Sequence, residues 1–199
     1  MEPVLIRRRS QPIGIVAAAL LALAACAPTA ASLAVDGAYT ASEKRTLDDV
    51  VDDNGIKLQL NKLLLDDGLK LFKDVSTVVY RRHVYLLGDV AKAGDKERAG
   101  ALARQPAKVS GVTNDIQVTD EGGIRSVVDD IVIEKAIQAD YLFDSDIDSS
   151  NFRVRSVNGV VYLIGLARSQ AELDKAVAVV DGRSDVRRIV NYVKVQRRG

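Results

Sequence analysis

Apolar positions along this chain keep two rhythms that follow one another. Ile56, Leu60 and Leu64 fall every fourth residue, as do Ile133, Ile137 and Tyr141. That spacing predicts an amphipathic helix behind each of two acidic doublets, Asp52-Asp53 and Asp129-Asp130. Acids at a helix amino terminus suit its dipole, which is reason enough for both doublets. Phe152 and Val154 then alternate into Asn158-Gly159, and Val161 and Leu163 alternate out of it. Asn-Gly between two such runs predicts a two-residue hairpin, because both residues tolerate positive φ. The matching place before Val84 holds Arg81-Arg82, so a turn of another type, or a longer one, is expected there. Leu173, Ala176, Val177 and Val180 predict a second helix, and Ala99, Leu102 and Ala103 a poorer one. Val112, Ile116 and Val118, like Ile189, Val193 and Val195, alternate as a closing strand.

These elements are one pattern written twice. Val50-Val51-Asp52-Asp53 returns as Val127-Val128-Asp129-Asp130, and Val84-Tyr85-Leu86-Leu87-Gly88 as Val161-Tyr162-Leu163-Ile164-Gly165. Val112 to Val118 returns as Ile189 to Val195, and all three pairs share an offset of 77 without a gap. The chain therefore reads as α+β, with two tandem αββαβ domains at 47–120 and 125–197 joined by a linker, 121–124, that holds Gly122-Gly123. Each domain is expected to form a three-stranded mixed sheet with two helices on one face. The hairpin supplies the antiparallel pair, and the second helix carries the chain over to a parallel last strand. Val84 and Val161 should start equivalent strands, with Gly88 and Gly165 at their ends and Tyr85 and Tyr162 facing alike. About 70 residues is close to the lower limit for independent stability, so packing of the copies against each other would help.

The first part of the chain follows other rules. Arg7, Arg8 and Arg9 precede an apolar run from Ile13 to Ala25 that ends in Leu23-Ala24-Ala25-Cys26. A basic start, a short apolar stretch and small residues at its end read as a secretory signal peptide over 1–25. A helix of that run would be about 20 Å long, short of the roughly 30 Å hydrocarbon core. Leu-Ala-Ala-Cys resembles the lipobox of bacterial lipoproteins, which implies cleavage before Cys26 and lipid on its thiol and new amino terminus. Ala27 resembles the residue that sorts such proteins to the outer membrane. Residues 26–46 have no sustained periodicity and read as a lipidated tether.

Composition narrows the functions. The chain is 47% apolar and 28% charged, which excludes wholesale disorder. Its net charge is +1, and losing Arg7, Arg8, Arg9 and Glu2 with the signal leaves about −1, a poor balance for coating nucleic acid. One cysteine permits no intrachain disulfide. With no Trp and nine Phe and Tyr, no base-stacking platform is expected.

Candidate chemistry is sparse. His83, the one histidine, falls at the first hairpin turn and reads as a solvent-exposed turn residue. Asp144, Asp146 and Asp148 alternate like a calcium loop, but Ser149 and Arg155 stand where an EF-hand needs Gly and Glu, so turns and caps are the better reading. No catalytic constellation, metal site or cofactor is expected. Arg183, Arg187 and Arg188, with Arg197 and Arg198, are either a basic surface for anionic head groups or a scattered solvated one.

The Val-Tyr-Leu-x-Gly strand, the Asn-Gly turn and the closing Val-x-Asn-x-Ile/Val-x-Val strand together resemble the BON domain. Gly88, Gly165, Asn114 and Asn191 are the most telling positions, and the resemblance spans nearly all of the chain after Cys26. Two such domains behind a lipobox look like the dual-BON lipoproteins of the Gram-negative envelope. That resemblance implies a non-enzymatic protein at the periplasmic face of the outer membrane. It also implies support of envelope integrity and binding of anionic phospholipid through the second domain. The alternative is a module for binding or assembling an envelope protein, with the lipid anchor serving only to localise it. If the first helix of the second copy meets lipid, Val132 and Lys135 are the candidate contacts, since i, i+3 spacing sets both on one face away from Ile133 and Ile137. No aromatic wedge stands early in that helix, and Tyr141 comes only at its far end.

Overall fold

The computed structural model describes residues 47–120, 122–124 and 126–196. The signal-like segment, Cys26, the tether and Arg197-Arg198 lie outside them. The first copy runs α1 (Leu47–Asp67), α2 (Leu69–Asp74), β1 (Val75–Tyr80), β2 (His83–Val90), α3 (Ala93–Leu102) and β3 (Gly111–Val118). The second runs α4 (Val127–Phe143), a 3-10 turn (Ser149–Asn151), β4 (Phe152–Val157), β5 (Val160–Ala167), α5 (Gln170–Asp181) and β6 (Arg188–Val195). In each sheet the middle strand pairs antiparallel with its hairpin partner and parallel with the closing strand. All three strands of the first copy return in the second with the 77-residue offset, both ends included.

The copies differ between first helix and first strand. Gly68 ends α1 and the short α2 follows, burying Leu71. In its place the second copy folds a loop in which Asp144 accepts from the Asp146 amide at 3.0 Å. Asp148 accepts there from Ser150 Oγ and Asn151 Nδ2 at 2.7 and 2.8 Å. These acids close turns, as Asp side chains do when they bond backbone two residues on.

Each copy buries its helix stripes against one face of its sheet. Ile56, Leu60 and Leu64 meet Val84, Leu86 and Ile116, and Ile133, Ile137 and Tyr141 meet Val161, Leu163 and Ala176. Ser126 and Ser169 cap α4 and α5, accepting from Asp129 and Glu172 amides at 3.2 Å, whereas α3 begins at Lys92 with no side-chain cap. Asn114, in β3, donates to the Lys96 carbonyl of α3 at 2.8 Å, tying strand to crossover helix. The other faces of the two sheets form a third core of Tyr80, Tyr85, Leu87, Val157, Tyr162 and Ile164. Tyr85 and Tyr162 face this layer from equivalent places. At its margins Tyr192 donates to Asp115 at 2.9 Å, and Arg155 Nε donates to Ser76 Oγ at 2.7 Å while its Nη1 lies 3.3 Å from Glu134. Glu134 has Lys57 as its counterpart in the first copy, where burial and Arg155 push the lysine pKa down.

Three expectations are corrected. The Arg81-Arg82 turn is neither longer nor of another kind. Arg81 and Arg82 take φ of 51° and 63°, as Asn158 and Gly159 take 54° and 74°, and Tyr80 pairs with His83 directly. The acidic doublets explain how. The Asp53 carboxylate accepts from the Arg81 and Arg82 amides at 2.8 and 2.6 Å. Asp130 accepts likewise from the Asn158 and Gly159 amides, at 2.8 and 2.9 Å, and from Ser156 Oγ at 2.6 Å. Charge-assisted bonds of this kind offset the roughly 1–2 kcal/mol that a left-handed conformation costs each arginine. The second acid of each doublet is thus a buried hairpin staple; Asp130 also lies in the first turn of α4, whereas α1 starts at Leu47 and puts Asp48 and Asp49, not Asp53, in its first turn. Finally, Gly88 and Gly165 lie inside β2 and β5, two residues short of the strand ends.

Candidate membrane-facing surface

Helix α4 turns Asp130, Ile133, Glu134, Ile137 and Tyr141 inward. The Tyr141 hydroxyl donates to the Ala176 carbonyl of α5 at 2.8 Å, which fixes the helix end against its neighbour. A helix advances 100° per residue, so the opposite side carries Val128, Ile131, Val132, Lys135, Ala139, Leu142 and Phe143. All of these are exposed, Val128 and Val132 by 71% and 59% and Phe143 by 86%. Val128 to Phe143 spans about 22 Å of helix, with one cation midway. Lys135 Nζ donates to Gln138 Oε1 at 3.1 Å on the same outer side. The acids Asp129 and Asp140 lie together along one flank, and Asp140 pairs with Arg183 at 3.2 Å.

Val132 and Lys135 therefore sit side by side on the solvent face of α4. Phe143 was missed in the sequence. It is the aromatic that the helix lacks near its start, placed at the far end, and its one signal was its position outside the Ile133, Ile137, Tyr141 register.

The remaining candidates are placed as follows. His83 is half-buried at the start of β2, not an exposed turn residue. Its Nε2 lies 2.8 Å from Thr113 Oγ1, its ring packs 4.7 Å from Tyr85, and burial with nearby Lys194 lowers its pKa. Arg183 pairs with Asp185 at 2.9 Å and with Asp140, and Arg187 donates to the Asn158 carbonyl at 3.1 Å while covering Gly159. These two arginines hold local structure. Among the described residues no group of three or more His, Cys, Asp or Glu is arranged to hold a metal ion, and no helix is long and apolar enough to cross a membrane.

Fold and repeat define the class, a tandem pair of αββαβ modules packed sheet to sheet. The BON domain model matches residues 52–120 and 123–197, and the chain belongs to that family. It is 31% identical over 147 residues to an uncharacterised protein in the gshII 5' region of Anaplasma centrale, covering 73% of this chain and 96% of that one. It is 27% identical to the osmotically-inducible protein Y of Escherichia coli, covering 73% and 74% of the two chains. With the outer membrane lipoprotein DolP of Haemophilus influenzae it shares 25% identity, over 79% and 81%.

Proposed function

We propose that this is a non-enzymatic envelope lipoprotein, anchored through Cys26 at the periplasmic face of the outer membrane. On this reading it binds anionic phospholipid through the outer side of α4 and supports membrane integrity. The observation that carries the reading is the apolar outer face of that helix, with Lys135 its one charge, set against its own duplicate. At the 77-residue offset, Ile131, Val132, Ala139 and Phe143 become Asn54, Gly55, Lys62 and Asp66 in α1, while Val128 and Leu142 become Val51 and Leu65. Lys135 in turn becomes Leu58, so the outer side of α1 keeps exposed Val51, Leu58 and Leu65 but interrupts them with Asn54, Lys62 and Asp66, whereas that of α4 carries Lys135 as its one charge. Resemblance to a protein named as an outer membrane lipoprotein supports the same location.

A helix lying in the interface immerses its apolar side by about 5–10 Å. Five large side chains, half immersed, contribute on the order of 5 kcal/mol at the usual roughly 1.5–3 kcal/mol for full burial. Lys135 adds attraction to anionic head groups. The anchor makes this weak contact effective, because the segment from Cys26 to Leu47 can span at most roughly 70 Å and so confines the module near the bilayer.

Vesicle flotation tests the reading, using residues 26–199 with Cys26→Ser so that no lipid contributes. The protein should float with anionic vesicles at low salt and not with neutral ones, and should detach as salt shortens the Debye length from about 10 Å to about 3 Å. Val132→Glu with Lys135→Glu should abolish flotation and leave the circular dichroism unchanged. Binding that survives the double variant, or none by the parent, would assign the second copy to a protein partner instead. In cells, Cys26→Ser should abolish palmitate labelling and release the full chain to the soluble envelope fraction, and labelling that persists would remove the anchor from the proposal.

A further inference from the structure

Helix α1 carries a line of apolar residues that its own core does not use. Val51, Leu58 and Leu65 stand seven residues apart and are exposed by 68%, 73% and 48%. Heptad positions drift by only about 20° per step on an α-helix, so the three form one narrow seam opposite Ile56, Leu60 and Leu64. Polar residues border the seam on both sides, Asn54 and Asn61 on one flank and Asp52, Gln59 and Asp66 on the other. A thin apolar seam of this kind is the pattern of a helix that packs on another helix, and a broader stripe is the pattern of a helix laid on an extended apolar surface.

We propose that α1 is a self-association surface, in which the seams of two copies pack antiparallel about a two-fold axis at Leu58. The seam is complementary to itself under that operation. Leu58 meets the partner's Leu58, and Val51 meets the partner's Leu65, so large apolar groups face one another along its length. Lys62, the one charge on the line, meets the partner's Asn54 and is already paired with Asp66 of its own helix.

The duplicate helix shows how charge decides the occupant. The same line in α4 is Val128, Lys135 and Leu142, so the two helices differ at the middle position. Pairing α4 in the same way would set Lys135 against the partner's Lys135, and the bond that Lys135 makes goes to the neutral amide of Gln138. Like charges at the centre of a contact oppose it, so self-pairing falls to α1 and not to α4. The three apolar side chains and their flanks bury on the order of 1,000–1,200 Å² over both copies, the lower end for a specific interface and the size of a reversible dimer. No residue of α4 takes part, so the lipid contact is neither needed nor blocked.

Sedimentation equilibrium without lipid tests it on residues 26–199 carrying Cys26→Ser. The protein should pass from monomer to dimer with a Kd on the order of 0.1 mM, as a small interface allows. Leu58→Lys gives α1 the centre that α4 has, and it should weaken association by about tenfold or more. Leu58→Glu should do the same, and neither change at so exposed a position should alter the circular dichroism. An equimolar mixture of the two variants should dimerise again, because the two-fold axis sets the lysine of one against the glutamate of the other. A parent that stays monomeric at about 1 mM, tenfold above the expected Kd, would overturn the proposal. Dimerisation that survives Leu58→Lys, or a mixture that stays monomeric, would also overturn it. So would association seen only after residues 26–46 are removed, which would give the seam to the segment that precedes α1.

Discussion

Gly88→Ala and Gly165→Ala should each cost about 3–5 kcal/mol, the upper range for a single substitution. At Gly88 a Cβ would stand 2.1 Å from the Asp74 carbonyl oxygen, and at Gly165 the same distance from that of Asn151. Both obstacles are backbone at the entry to β1 and β4, so no side chain can swing aside. Either the entering strand retreats by about 1 Å and breaks the Val75–Gly88 or Phe152–Gly165 pairing, or the middle strand bends. At Gly88 the left-handed φ of 138° adds strain for any residue with a side chain. For a folded unit of this size, about 4 kcal/mol lowers the melting temperature by roughly 8–16 °C. Gly55→Ala supplies a control of opposite sign. It lies within α1 with nothing within 4 Å of its would-be Cβ, so the change should stabilise by about 0.5–1 kcal/mol. Melting curves in which all three variants behave alike would remove the steric argument.

The two glycines show how much of this fold was legible. Periodicity gave the helices and strands because each has one face on its own core, and the constant offset gave the tandem architecture. What covers the second face of each sheet was not read. Yet Val84-Tyr85-Leu86-Leu87 and Val161-Tyr162-Leu163-Ile164 are unbroken apolar runs, the pattern of strands buried on both faces. That signal marked the inter-sheet core of Tyr85, Leu87, Tyr162 and Ile164. Asp53 and Asp130 were misread for another reason. An acid near a helix start has an adequate local explanation, and only the tertiary fold brings a hairpin turn 28 residues away onto the same carboxylate. The arginine turn followed from the same omission, since turn propensity counts a residue's own φ preference and not the acceptor waiting for its amide.

The candidate surface was legible in part. Val132 and Lys135 came from helical geometry, which is local. Phe143 required knowing where α4 ends and that nothing covers its last turn.

Raising the pH from about 10 to about 12 should abolish most of the stability of the folded unit. Burial, reinforced by the Asp115 carboxylate, pushes the Tyr162 phenol up to about 12. Burial also raises Tyr141, whose hydroxyl must donate to the Ala176 carbonyl, and Tyr192, whose ionisation would set a phenolate against Asp115. In the unfolded chain all three lose their protons near pH 10. Between that pH and the folded pKa values the unfolded state binds fewer protons, so stability falls as pH rises and is fully present below about 10. Two pH units for Tyr162 alone amount to about 3 kcal/mol at roughly 1.4 kcal/mol per unit. Tyr141 and Tyr192 act in the same direction, against a total stability of about 5–15 kcal/mol for a typical domain. Urea midpoints across this range, with tyrosinate absorbance recorded in parallel, check the expectation. The buried phenols should ionise only as the midpoint collapses, and Tyr162→Phe should recover about 3 kcal/mol of the alkaline loss. Lysine deprotonation also weakens ion pairs in this range, but it is common to both proteins and cancels in that difference. A midpoint that holds to pH 12, or a Tyr162→Phe variant that loses as much as the parent, would show that the inter-sheet layer does not keep its tyrosines neutral.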